Sequence, residues 1–157
     1  MENRLATAGD APIIHALMIR AFEEYRHAEP PSSALDETIE SISSGLQKDE
    51  QAFIHYLKDK AVGMLRFHVR DDHIYFFRLS VVPEHQGKGV AKKLLKVLEN
   101  YAKKHHKATI TCKVRVDVPR NIHLYESIGY HICEKERIPK PKGNVNVVSM
   151  KKTLMLT

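Results

Sequence analysis

The order of apolar and polar positions divides the chain into alternating helical and extended segments. From Ala11 to Tyr25, Ile13, Ile14, Leu17, Met18, Ala21 and Phe22 recur at helical spacing. This predicts an amphipathic helix, with Asp10 as its cap and Pro12 in its first turn. Glu29-Pro30-Pro31-Ser32-Ser33 breaks it. A second helix is expected over Asp36 to Leu46, with Ser33 as cap and Gly45 near the end. Strand patterns occupy Ala52 to Leu57, Ala61 to Val69 and Ile74 to Val82, joined by Lys58-Asp59-Lys60 and Arg70-Asp71-Asp72-His73. Short polar turns between them predict an antiparallel meander.

Beyond Pro83 the period changes. A glycine-bearing loop leads into a helix from Gly89, whose apolar stripe is Val90, Leu94, Val97, Leu98 and Tyr101. Lys92, Lys93, Lys96 and Lys103 fall on its other face. Thr109 to Val116 alternates as a strand. Strand, helix and strand in that order predict a right-handed crossover with parallel pairing. A short helix at Ile122 to Ile128 closes at Gly129, and two last strands are expected at Tyr130 to Glu136 and Val145 to Leu154. The expected fold class is α/β: residues 1–157 as one domain, a mixed sheet with helices on both faces.

Length and charge narrow the function classes. A chain of 157 residues folds without staples. No apolar run reaches the ~20 residues of a membrane helix, and the first residues lack the build of a signal peptide, so the expected address is the cytoplasm. Cys112 and Cys133 are read as reduced core thiols. The ten histidines are scattered without metal spacing, and no metal is expected. The net charge of +6 favours an anionic partner. Nucleic acid is set aside because the aromatics sit in core patterns, not interleaved with Lys and Arg as a stacking platform requires.

The chemistry concentrates in Leu79-Ser80-Val81-Val82-Pro83-Glu84-His85-Gln86-Gly87-Lys88-Gly89-Val90-Ala91. A strand runs into two glycines and a helix N-terminus, which together form an anion cradle. A P-loop needs Ser or Thr after Gly-Lys, but Gly89 stands there. A dinucleotide loop needs a third glycine, but Lys92 stands there.

This segment resembles the acyl-CoA motif of the GCN5-related N-acetyltransferases (GNAT), here Gln86-x-x-Gly89-x-Ala91, preceded by Leu79-x-Val81-x-Pro83. A second block, Leu124-Tyr125-Glu126-Ser127-Ile128-Gly129-Tyr130, is similar to that family's Leu-Tyr-Glu-x-x-Gly-Phe. The resemblance implies acetyl-CoA as cosubstrate. Gln86 opens the loop, and the amides of Gly87, Lys88, Gly89, Val90, Ala91 and Lys92 hold the pyrophosphate. The backbone of Leu79, Ser80 and Val81 meets the pantetheine arm, and Tyr125 is the general acid. The family's cofactor-touching Asn is Val118 here, and Asn121, one turn later, is the candidate to replace it. A Glu found in some relatives is Lys113 here, which leaves the general base open.

The resemblance also implies that Phe22 to Ser33 roofs the acceptor site, with Glu23, Glu24, Tyr25 and His27 as candidates to orient or deprotonate an amine. Arg66, Arg78, Lys113 and Arg115 either favour an acidic acceptor or pair with Asp72, Asp117 or Glu126. The expected activity is transfer of acetyl to a primary amine of a small molecule or peptide, by direct attack in a ternary complex. The alternative is a non-catalytic acyl-CoA sensor. The expected partners are the amine acceptor alone, with no nucleic acid and no membrane, and a homodimer is allowed for.

Overall fold

The computed structural model describes residues 2–155. Seven strands form one sheet: β1 (Glu2–Leu5), β2 (Glu50–Leu57), β3 (Lys60–Val69), β4 (His73–Val81), β5 (Thr109–Arg115), β6 (His131–Ile138) and β7 (Val145–Thr153). Four helices accompany them: α1 (Ala11–Phe22), α2 (Ile39–Gln47), α3 (Val90–Lys104) and α4 (Pro119–Ser127). The sheet order is β1-β2-β3-β4-β5-β7-β6. β2, β3 and β4 form the expected antiparallel meander, and β5 lies parallel to β4. β1 was not foreseen. β7 inserts antiparallel between β5 and β6, so the last two strands are not added in chain order.

Neighbouring residues of β3 show why helices cover both faces, since adjacent side chains point to opposite sides. The Arg66 guanidinium meets Met18 of α1, whereas the Phe67 ring packs edge-on to Tyr101 of α3 at 5.2 Å. The core on the α3 face includes Phe67, Leu94, Leu95 and Leu98, all fully buried. Leu95 completes a stripe wider than the one read from the sequence. α3 comes close to β3 at Gly63, where a Cβ would stand 2.9 Å from Val90 Cγ1 and 3.1 Å from the Ser80 carbonyl oxygen. A side chain there would push away the N-terminal turn of α3.

Three local expectations are corrected. Asp10 stands before α1, but its carboxylate accepts from the Thr7 amide at 2.9 Å instead of capping the helix. α2 begins after Thr38, whose hydroxyl accepts from the Ser41 amide. Ser32 caps the separate 3-10 turn Ser33–Asp36. Ser33 caps neither, because that turn displaces the helix start by three residues. Cys112 is buried, but Cys133 is exposed, because β6 is an edge strand whose faces are mostly open. Both thiols are free.

β4 positions the site. Its pairing with β5 is confined to His73, Tyr75 and the residue between them. From Phe76 onward it has no ladder partner on β5 among the described residues. On the other side, pairing with β3 jumps from Phe77–Arg66 to Ser80–Met64, so Arg78 and Leu79 oppose Leu65 alone. Arg78 takes φ +56° in this bulge. A bulge bends the strand and re-aims the residues beyond it. The end of β4 therefore turns away from β5 and opens a seam in the middle of the sheet.

Candidate active site

Two cavities meet at that seam. One, of about 490 Å³, lies between the end of α1, the loop after β4, the first turn of α3, and α4. The other, of about 880 Å³, lies between the β4–β5 seam, the chain after α1, and the β6–β7 loop. Phe22, Tyr25, Leu79, Asn121 and Tyr125 line both. A molecule in one cavity can therefore reach a molecule in the other past these five side chains.

The smaller cavity carries the anion cradle. Gly87 and Gly89 have φ +74° and +83°, a region that other residues enter only with strain. A Cβ on either would meet nothing within 4 Å, so the glycines serve the backbone path and leave open space before it. Gly89 stands at the N-cap position of α3, and its carbonyl already accepts from Lys93. The first-turn amides of the helix lack intrahelical partners and carry the positive end of the helix dipole. Gln86 donates its side-chain amide to the Val81 carbonyl at 3.1 Å, tying the loop to the end of β4. These residues suit a pyrophosphate with a narrow arm running along the strand.

Most of the residues expected from the sequence come together here. Leu79, Val81, Gln86, Gly87, Gly89, Val90, Ala91, Lys92, Asn121 and Tyr125 line the smaller cavity. Ser80 and Lys88 do not. Ser80 is buried, and its hydroxyl donates to the Arg78 carbonyl at 2.9 Å. Lys88 is exposed at the turn. Ser80 is left with a backbone role, and Lys88 with its backbone amide and the charge of an exposed ammonium beside the loop.

Tyr125 is buried at the junction, 5.5 Å from the ring of Phe76 and 5.9 Å from that of Tyr130. Burial pushes its phenol well above the ordinary value, so it keeps its proton at neutral pH. α4 places it through a helical turn that also sets Asn121 on the same side.

Arg120 was missed in the sequence. It donates to the Tyr25 hydroxyl at 2.7 Å and pairs with Glu24, joining α4 to the chain after α1 across the smaller cavity. Its spacing of four from Leu124 is the signal that would have put it on the cavity side of α4. A second tie, Arg20–Glu84 at 2.5 Å, joins α1 to the loop after β4. The hydrogen bond from Arg20 holds the exposed Glu84 carboxyl down to about 2.

The basic residues on the sheet are paired, mostly with partners other than those expected. Arg66, buried, takes Glu50 in a bidentate pair at 2.7 and 3.0 Å and Glu37 at 2.9 Å. Arg78 donates to the same Glu37 oxygen at 2.8 Å. Burial opposes ionisation of Glu37, but the hydrogen bond and charge of Arg66, with Arg78 beside it, hold its carboxyl below the usual range. Lys113 pairs with Glu136 and Arg115 with Asp117. Only Asp117 was foreseen, because the others are brought in by strand pairing and by the chain before α2. Glu23, a candidate at the roof, pairs with Arg26.

Comparison with known proteins gives the same fold. The acetyltransferase (GNAT) family model matches residues 13–130. Comparison of the sequence with curated proteins returns no match. Among solved structures, the chain is similar to the ribosomal-protein-S18-alanine N-acetyltransferase of Escherichia coli, with 22% identity and TM-score 0.79, covering 99% of this chain and 96% of that one. It is similar to the PaiA N-acetyltransferase of Thermoplasma acidophilum in complex with coenzyme A, with 13% identity and TM-score 0.79, covering 98% and 99%. A spermidine N-acetyltransferase chimera from Vibrio cholerae gives 21% identity and TM-score 0.77, covering 97% and 94%. With the family model spanning both the cradle loop and the block around Tyr125, the chain belongs to the acetyltransferase (GNAT) family of enzymes.

Proposed function

We propose that the protein transfers an acetyl group from acetyl-CoA to a primary amine of a small molecule or peptide, by direct attack with both substrates bound. The observation that carries this reading is the junction of the two cavities at Leu79 and Tyr125. A catalyst that forms no covalent enzyme intermediate must bring two substrates together, and proximity then supplies much of the rate.

Acetyl-CoA supplies an activated acetyl thioester. The amides from Gly87 to Lys92 hold its phosphates, while Leu79 and Val81 present strand backbone that β5 leaves unpaired. An N–H on this stretch is available to a thioester carbonyl and stabilises the negative charge that grows there during attack. Tyr125, kept protonated by burial, gives its proton to the departing sulfur. Lys113 is engaged by Glu136 at 2.6 Å and does not serve as base. The amine therefore enters already neutral or loses its proton to water or to a side chain of the roof, such as His27.

Thiol release from acetyl-CoA with a panel of amines, with acetylated products identified by mass spectrometry, tests the reading. Amine-dependent release that Tyr125→Phe suppresses supports it. Tight CoA binding without turnover of any amine would favour the sensor.

A further inference from the structure

The larger cavity carries two features that the acetyl transfer itself does not require. The first is an aromatic wall. His68, Phe77 and Tyr75 form a row on one face of β3 and β4, with ring centroids 5.1 and 5.9 Å apart and planes within 16° at each step. All three line the cavity and are only half-buried. Phe76, between Tyr75 and Phe77 in sequence, points the other way into the core against Tyr125 and Tyr130. The row is thus not core packing but a stack of aromatic side chains at the cavity wall, with the Arg66 guanidinium over Phe77 at 4.9 Å.

The second feature is charge. All but one of the carboxylates on and around this cavity are already engaged. Glu37 is shared by Arg66 and Arg78, Glu136 is taken by Lys113, and Asp117 by Arg115. Asp36, the other carboxylate on the wall, is exposed and forms no ion pair among the described residues, because Arg26 is taken by Glu23. It offsets one of the two ammonium groups of Lys140 and Lys142. Lys140 and Lys142, on the loop between β6 and β7, line the same cavity and form no ion pair among the described residues. The uncompensated charge is therefore positive. A polyamine would meet repulsion there, whereas an anionic group would meet two free ammonium groups.

Resting on the acetyl-transfer reading, we propose that the acceptor is an arylalkylamine that carries a carboxylate: its ring lies on the His68–Phe77–Tyr75 wall, its carboxylate faces Lys140 and Lys142, and its amine reaches the junction at Tyr125. A cavity of about 880 Å³ is large enough for such a molecule.

The test compares matched amines in the thiol-release assay. 2-Phenylethylamine is the neutral parent. L-Phenylalanine adds a carboxylate beside the amine, and 4-(2-aminoethyl)benzoate adds one at the far end. 6-Aminohexanoate lacks the ring, and spermidine is the polycation. Calorimetry of the corresponding N-acetyl compounds, with CoA present, reads binding independently of turnover. At least one carboxylated arylalkylamine should exceed 2-phenylethylamine and 6-aminohexanoate by about tenfold in kcat/KM, the size of one charge-assisted contact. Lys140→Glu with Lys142→Glu should erase the preference over 2-phenylethylamine and leave CoA affinity unchanged.

Equal or better use of 2-phenylethylamine or spermidine would overturn this acceptor class and leave the N-acetyltransferase reading standing. If no amine is turned over, the N-acetyl compounds decide: a retained preference for the carboxylated aromatic form supports the ligand class while the transferase reading falls. No preference overturns both.

Discussion

The two halves of β4 differ in how their backbone is paired. Its first residues pair with β3 on one side and β5 on the other, and Ile74 is fully buried beside Ile110. Its last residues pair with β3 alone, pass through a bulge, and line both cavities at Leu79. Complete backbone pairing makes the first half part of the framework. Incomplete pairing leaves donors and acceptors in the second half available to a substrate, which is costly in a core but useful in a site. The same contrast divides the charges. Arg66 and Glu50 are sealed by each other, whereas Lys140 and Lys142 remain open to the cavity.

The largest expected effect lies on the open side. Tyr125→Phe keeps the ring against Phe76 and removes only the hydroxyl. Turnover with a true acceptor should fall by about 10²–10⁴-fold, with CoA affinity little changed. Stopped-flow kinetics and calorimetry on one protein sample check both halves of this statement. Because burial raises the phenol, its ionisation should add no descending limb to the kcat–pH profile below about pH 10. Unchanged turnover in the variant would remove Tyr125 from the proposed mechanism.

The paired half should answer in stability instead. Ile74→Ala opens a hole at a fully buried side chain of β4 and should cost about 2–5 kcal/mol in chemical denaturation. In the protein that remains folded, CoA affinity should be nearly unchanged. A selective loss of CoA binding without a change in stability would abolish the division between the two halves.

Gly89→Glu sharpens the comparison within the cradle. The residue sits at φ +83° with open space before it, so the folding cost is conformational, about 1–2 kcal/mol. The added carboxylate should weaken CoA binding much more, by at least about tenfold, through repulsion of phosphate. Calorimetry against a Gly89→Ala control separates charge from backbone strain.

The smallest effect is expected from Lys88→Ala with Lys92→Ala. Both side chains are exposed, so stability should hardly move. CoA affinity should drop by about two- to fivefold at low salt, and the difference should shrink at high salt as screening grows. A salt-independent drop would mean direct contact instead of long-range attraction.

The local pattern of residues was enough for the helices, the meander and the cradle loop. Period, glycine and proline act over a few residues, and each of these features is built from neighbours in the chain. The Gln86–Ala91 loop was legible as an anion cradle for the same reason; its acyl-CoA reading and the Tyr125 block came from the resemblance to the family's motifs, and the α4 turn that joins Asn121 to Tyr125 is itself local. Tertiary structure decided the rest. β7 lies between β5 and β6, the Arg66 cluster gathers Glu37 and Glu50 from distant segments, and Arg120 reaches Glu24 and Tyr25. None of these pairings leaves a mark on the spacing of either partner, because each depends on which strand edges and helix ends the whole fold brings together. The seam in β4 is the clearest case. In the sequence, Ile74 to Val82 read as one uniform strand, and only the bulge opposite Leu65 and the early parting from β5 show where the framework stops and the site begins.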